Sequence, residues 1–330
     1  LILLAIPISL TVLHWLAVGH IEIIKEIRQL WLGVFLAISI WACGSALRHG
    51  QRQPLEKAFV VLLGLYVVAQ VVALAVMGRP YGTNKNPHYL AFYSSLALML
   101  AAYLFCRTRG WWRAALLLMS PALGYLILIS SSRPAWIALV LAILVFLVLV
   151  NVRSKRWILT MLVVVPGLLF VSDIGHFGSR LTELVQDIDH EERVVIWHNA
   201  WQMQQASQPV EWLWGHGLDS YREAFKQYSQ YHGIVDFNSP HNSAFELLYI
   251  SGIAGLLCYL VFYLLLYYQL WKFARRPETS AAAGLMIAAA TFNALFISIT
   301  IPVFTSYNLY VLAIVVGGLF WLRATQEQGL

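Results

Sequence analysis

His241-Asn242 lies where a polar stretch ending in Asn238-Ser239-Pro240 runs into a long apolar segment. An imidazole with an unperturbed pKa of about 6.5 accepts a proton at neutral pH, the requirement for activating a hydroxyl nucleophile. A helix end at a bilayer surface also lets a polar group meet a lipid-linked head group without crossing hydrocarbon. Taken alone, such a residue is more often an ordinary hydrogen-bonded histidine at a helix entry. Arg133 follows Ser130-Ser131-Ser132 in the short turn between two apolar segments. A guanidinium there stands close to the bilayer and is costly unless an anion or carboxylate meets it, or unless it snorkels to water. Arg193 stands just after Glu191 and Glu192 in a helical pattern; a solvated ion-pair face and an anion contact both fit it. Two guanidiniums converging on one site would suit a pyrophosphate, since each makes bidentate, charge-assisted hydrogen bonds. Arg79, Arg180, Arg222 and Lys85 are further cations, and Lys85 sits in the turn-forming run Thr83-Asn84-Lys85-Asn86-Pro87.

Other chemistries find less support. His176, His190, His198, His216 and His232 form no H-x-x-x-H or H-E-x-x-H pair, so no metal site is expected among them. Asp187-Ile188-Asp189 is a D-x-D of the kind that holds a hard cation, but two acids one residue apart are common in charged loops. No G-x-S-x-G elbow supports Ser-His-Asp hydrolysis. Cys43, Cys106 and Cys258 each lie in an apolar run and read as small helix residues. Glu246 is the one acid inside the apolar run after His241, and calls for a partner or a function.

The elements that must position these residues are membrane helices. Sixty per cent of the 330 residues are hydrophobic and only 12% charged, against about a quarter charged in a soluble domain. The expected fold is an all-α polytopic membrane protein. Ten apolar segments run over 1–18, 30–47, 57–78, 88–105, 113–131, 134–151, 156–172, 243–270, 281–301 and 306–322. Connections on one side carry 13 of the 22 Lys and Arg with three acids, and those on the other carry nine with 13 acids. By the positive-inside rule the first set is cytoplasmic. That places Arg79–His88, Ser130–Pro134 and the long stretch 173–240 on the outer face. The expected division is helices one to seven over 1–172, a periplasmic loop domain over 173–240, and helices eight to ten over 241–330. Within the loop a helix is expected over about 191–205, with Val194, Trp197 and Trp201 on one apolar stripe and acids at its start. The glycines of Trp214-Gly215-His216-Gly217 mark a turn. Thirteen tryptophans, several at segment ends, suit an aromatic belt among membrane lipids. The chain opens without Met inside an apolar run, and further helices are expected to precede it.

His241, Asn242, nine residues, then Gly252 and Gly255 meet the pattern H-[NSQ]-x9-G-x-x-[GTY]. The chain thereby resembles the O-antigen ligase and polymerase superfamily of bacterial envelope enzymes. Arg193-x-x-x-Trp197 with Gly215-x-Gly217 is similar to the superfamily's large periplasmic loop, and Ser132-Arg133 to its arginine-bearing turn. Gly82 through Asn86-Pro87-His88-Tyr89 resembles a further outer-face motif, with His88 where Asn is usual. Such proteins usually show about twelve helices, and the ten here fit a chain lacking its first two. The resemblance implies inverting, metal-independent and cofactor-free transfer of O-antigen from undecaprenyl pyrophosphate to lipid A-core, at the periplasmic face of the inner membrane. It implies His241 as the base, with Arg133 and Arg193 on the pyrophosphate, where fixed donors stabilise a leaving group gaining charge. Arg79 and Lys85 become secondary phosphate contacts, with Asn242 and Ser132 beside the substrate. Gly252 and Gly255, with Ser251, read as a small-residue face admitting a neighbouring helix.

An O-antigen polymerase and an O-linked protein oligosaccharyltransferase share the donor and differ in acceptor. A lipid-linked sugar transporter would instead place ionisable residues inside several spans and show broken helices in two related halves. Here the polar mass sits in one loop. No nucleic-acid partner is expected.

Overall fold

The computed structural model describes residues 52–76, 78, 81–84, 86–149, 192–217, 220–228, 240–300 and 306–327, with isolated positions between 164 and 182. The segments at 1–18 and 30–47, nearly all of 156–172, Arg79, Lys85, Arg180, the D-x-D at 187–189, and His176, His190 and His232 lie outside the described residues.

Among the described residues all regular structure is helical. The helices are α1 (Arg52–Ala75), α2 (Pro87–Arg107), α3 (Trp111–Ile129), α4 (Arg133–Leu149), α5 (Glu192–Gln205), α6 (Pro209–Trp214), α7 (Ser220–Tyr228), α8 (Ser243–Ala274), α9 (Ser280–Ile297) and α10 (Ser306–Glu327). Five are long and apolar enough to cross a membrane: α2, α3, α8, α9 and the Glu56–Ala75 part of α1. α4 and the Asn308–Ala324 part of α10 are shorter apolar helices. Seven of the ten expected segments thus appear as helices. α1 shows why the pattern reads as a span. It buries Val60, Leu63 and Val67 while exposing Leu62, Leu65 and Val68. A helix that is apolar all round needs a second apolar phase outside the protein.

The chain divides into two compact units. One contains Leu184–Gln269 and Ala294–Ile314, together with Leu1–Leu36; we call it the loop unit. The other contains Ala37–Glu183, Leu270–Asn293 and Val315–Leu330, and is called the turn unit.

In the turn unit α2 packs chiefly on α3, with α1 against both. Val60, Leu63, Leu90, Leu104, Leu116 and Leu123 are central to this core. Tyr66 Oη and Ser94 Oγ meet at 3.0 Å between α1 and α2, a polar contact of the sort that joins helices in lipid. Gln70 of α1 is buried and grips the turn at 81–84. Its Nε2 donates to Thr83 Oγ1 at 2.7 Å, and its Oε1 accepts from Thr83 N at 3.0 Å. Asn86 then caps α2 by accepting from Tyr89 N, with Pro87 in the first turn, as N-cap chemistry favours.

In the loop unit α5 packs on α7. The buried face of α5 is Ile196, Ala200 and Met203, gathered with Tyr221, Phe225, Tyr249 and Ile250. This corrects the expected stripe: Val194 and Trp201 are 38% and 40% exposed. The physical reason lies in Asn199 and Gln204, which flank the buried face and are themselves fully buried. Two amides on the inward side disguise it as the polar one.

Candidate functional site

The short turn before α4 holds Ser132 and Arg133 by an unusually complete set of bonds. Ser130 Oγ donates to Ile127 O at 2.6 Å and accepts from Ser132 N at 3.3 Å. Trp136 Nε1 reaches back to the same Ile127 carbonyl at 3.1 Å. Ser131 takes a φ of 52°, a region that a non-glycine residue enters only when its surroundings demand it. Ser132 directly precedes α4, its carbonyl accepting from Ala135 N and Trp136 N. A serine in that position usually turns its hydroxyl onto its own helix. Here Ser132 Oγ lies 3.0 Å from His88 Nδ1 instead. The result is Arg133, half-buried, as the first residue of a helix whose entry is pinned from α2 and α3.

In the loop unit, His241 also adopts a left-handed backbone, with φ 48°. Its ring is fixed by a 2.6 Å contact from Nδ1 to the carbonyl oxygen of Thr300. A carbonyl only accepts, so Nδ1 carries the proton, and in the neutral ring Nε2 is the basic nitrogen. Thr300 is itself held by a short bond from its hydroxyl to Phe296 O beyond the end of α9. Asn242 is the N-cap of α8. Its Oδ1 accepts from Ala244 N at 3.0 Å and Phe245 N at 3.2 Å, and its carbonyl accepts from Glu246 N. The side chain expected beside the substrate thus has a structural task, aiming the helix that follows His241. Trp197 Nε1 donates to Pro240 O at 3.1 Å. That bond ties the residue before His241 to α5, one turn from the half-buried Arg193.

α8 is interrupted at Gly252, where φ 65° and ψ −170° leave helical geometry. The carbonyls of Tyr249 and Ile250 accept from the N–H groups of His216 and Gly217, each at 2.9 Å. Gly215 and Gly252 permit this docking reciprocally. A Cβ on Gly215 would strike the backbone of Ile250 and Ser251, and one on Gly252 the backbone of Leu213 and Trp214. The close approach expected at the Gly252 motif is therefore real, but its partner is the end of α6, and Gly252 itself is not helical. His216 completes the joint. Its ring stacks on Tyr249 at 4.2 Å, its Nε2 lies 2.7 Å from Ser207 Oγ, and its Nδ1 lies 3.6 Å from Glu211 Oε1. Sequence reasoning missed this knot because its partners are scattered over 207–249. The Gly-x-Gly was the one visible signal.

Buried polar groups of the loop unit stand out. Among the described residues, the side-chain amides of Asn199 and Gln204 and the Tyr221 hydroxyl have no hydrogen-bond partner. Burial raises the Tyr221 phenol well above its ordinary value, and the nearby Glu246 carboxylate and Tyr249 push it the same way. Glu246, in the first turn of α8, is 7% exposed.

The predicted residues thus fall into two sets: Ser132 and Arg133 with His88 in the turn unit, and Arg193, His241 and Asn242 in the loop unit. The family model described as O-Antigen ligase matches residues 114–260. No curated protein matches the chain. The match implies ligase- or polymerase-type glycosyl transfer on lipid-linked polysaccharide, carried by a multi-pass membrane protein. It takes in the Ser132-Arg133 turn, Arg193, the docked Gly215–Gly217 segment and the whole His241–Gly255 signature. Residues 114–260, from α3 to the middle of α8, match the O-antigen ligase family, and that match supports assigning the chain to it.

Proposed function

We propose that this protein is an O-antigen ligase. It moves O-antigen polysaccharide from undecaprenyl pyrophosphate to a sugar hydroxyl of lipid A-core at the periplasmic face of the inner membrane. The observation that carries the reading is the 2.6 Å contact between His241 Nδ1 and the Thr300 carbonyl, because it commits the ring's other nitrogen to accepting protons. The acceptor hydroxyl gives its proton to His241 Nε2 as its oxygen attacks the anomeric carbon. The bond from that carbon to the pyrophosphate oxygen breaks on the opposite side, so the configuration inverts. Undecaprenyl pyrophosphate departs with the electron pair. Arg133 and Arg193 hold the pyrophosphate as it gains charge, with Arg79 and Lys85 as outer phosphate contacts. Ser132 and Asn242 set the directions of Arg133 and His241. No metal takes part.

The test uses the purified full chain in lipid nanodiscs with lipid-linked O-antigen, offered lipid A-core, a second O-antigen unit or an acceptor protein. Transfer to lipid A-core, persisting in EDTA, is expected. Elongation of the lipid-linked chain instead would make the protein a polymerase. His241→Asn, which tolerates the left-handed backbone, should lose about a hundredfold or more in turnover while still binding donor. Full activity in that variant overturns the base role.

A further inference from the structure

α6 carries Val210, Leu213 and Trp214 on one face at helical spacing, and they are 61%, 46% and 48% exposed. The opposite side is polar and occupied: Glu211 Oε2 accepts from Gln208 N at 2.6 Å, and its Oε1 faces His216. Trp212, away from that exposed face, is half-buried and meets the Trp201 ring of α5 edge-on at 5.9 Å. A short helix with one exposed face of Val, Leu and Trp, and its remaining side chains engaged by the protein, is built for a boundary between phases.

The depth of that boundary follows from α8. The helix has 32 residues, more than the roughly 20 that cross a hydrocarbon layer of about 30 Å. Its excess lies at one end. From Ile253 to Leu270 no charged residue occurs, whereas His241, Asn242, Ser243, Glu246 and Ser251 precede that stretch. The far end is marked by Arg275 over the Trp271 ring at 3.6 Å and Arg276 over Phe273 at 5.5 Å, groups that settle at head-group level. Counting back about 20 residues from Trp271 reaches the neighbourhood of Gly252. Gly252 is also where the backbone of Leu213 and Trp214 abuts α8.

We propose that α6 is an interfacial helix, its Val210–Leu213–Trp214 face resting in the bilayer lipids at the level of Gly252. The α6–α8 joint then fixes the depth of the loop unit as well as its orientation. The occupant is bulk lipid, and the inference needs only that α8 spans the membrane.

The test places a single environment-sensitive fluorophore on the full chain in phosphatidylcholine nanodiscs, after Cys43, Cys106 and Cys258 are replaced. Val210→Cys and, separately, Trp214→Cys carry the label. Glu223→Cys on α7, whose side chain is 77% exposed, is the reference in the same unit. Blue-shifted emission is expected at 210 and 214, with several-fold stronger quenching by a nitroxide near the head group than by aqueous iodide. Position 223 should show the reverse. Water-like emission at both 210 and 214 overturns the proposal. Quenching that appears only after lipid-linked donor is added also overturns it, and assigns the face to substrate. None of these readouts involves transfer, so their failure leaves the ligase reading untouched.

Discussion

His88 illustrates how a single side chain sets a neighbour's aim. Its Nδ1 takes the Ser132 hydroxyl that would otherwise cap α4, and Ser132 directly precedes Arg133. Losing that bond is worth about 1 kcal/mol, read out where Arg133 acts. His88→Ala is therefore expected to raise KM for the lipid-linked donor by several-fold, with a smaller change in kcat. His88→Asn, whose amide oxygen reaches nearly the position of Nδ1, should restore most of the loss. Steady-state kinetics over donor concentration decide it: equal defects in the two variants would show that the hydrogen bond is not what matters. At this scale the sequence was readable for residue types and not for partners. Arg133, Arg193 and His241 stand out by charge, by their place beside apolar runs and by the spacing to Gly252. The carbonyl that orients His241 belongs to residue 300, and no local pattern announces a backbone acceptor 59 positions away.

Helices show the same division between what patterning reveals and what it hides. α1, α2, α3, α8 and α9 follow from apolar runs of sufficient length. α5 was legible in extent but not in facing, because the buried Asn199 and Gln204 make its inward side read as polar. α8 reads as one uninterrupted span, yet breaks at Gly252 with dihedrals essentially confined to glycine. Gly252→Ala is expected to destabilise the protein by about 3 kcal/mol or more, combining backbone strain with collision against α6. Gly124→Ala is the contrast. Gly124 lies within α3, and a Cβ there would meet nothing within 4 Å, so ordinary helix propensity should make that change neutral or mildly stabilising. Thermal unfolding of both variants in detergent provides the comparison; a Gly252→Ala protein as stable as the parent would refute the interlock.

Across the whole molecule, stability and pH are linked through the core of the loop unit. Tyr221 is 2% exposed, its hydroxyl finds no partner among the described residues, and burial lifts its phenol above the ordinary 10.0. The folded chain therefore keeps a proton that the unfolded chain releases. Stability is undiminished below pH 10 or so and falls as pH climbs beyond it. Tyr221→Phe should flatten that alkaline decline and leave neutral-pH stability equal or higher, since it removes a buried hydroxyl without a partner. Unfolding curves at neutral and alkaline pH test both parts, and a steeper alkaline loss in the variant would contradict them. Membrane class was plain from composition, because so apolar a chain has no other solvent. The two compact units were not, because each is assembled from stretches far apart in the sequence.

The contact between His241 and Thr300 also has a consequence for biogenesis. Synthesis proceeds from the N-terminus, so the ribosome finishes the His241–Gly255 signature well before it reaches the residue that orients the imidazole. The docking of Gly215–Gly217 must likewise wait until α8 has emerged. A nascent chain halted after Ala274 would display every residue by which the family is recognised, yet its histidine would have no carbonyl to choose its tautomer. The His241 ring thus takes its orientation only once Thr300, beyond α9, reaches the start of α8.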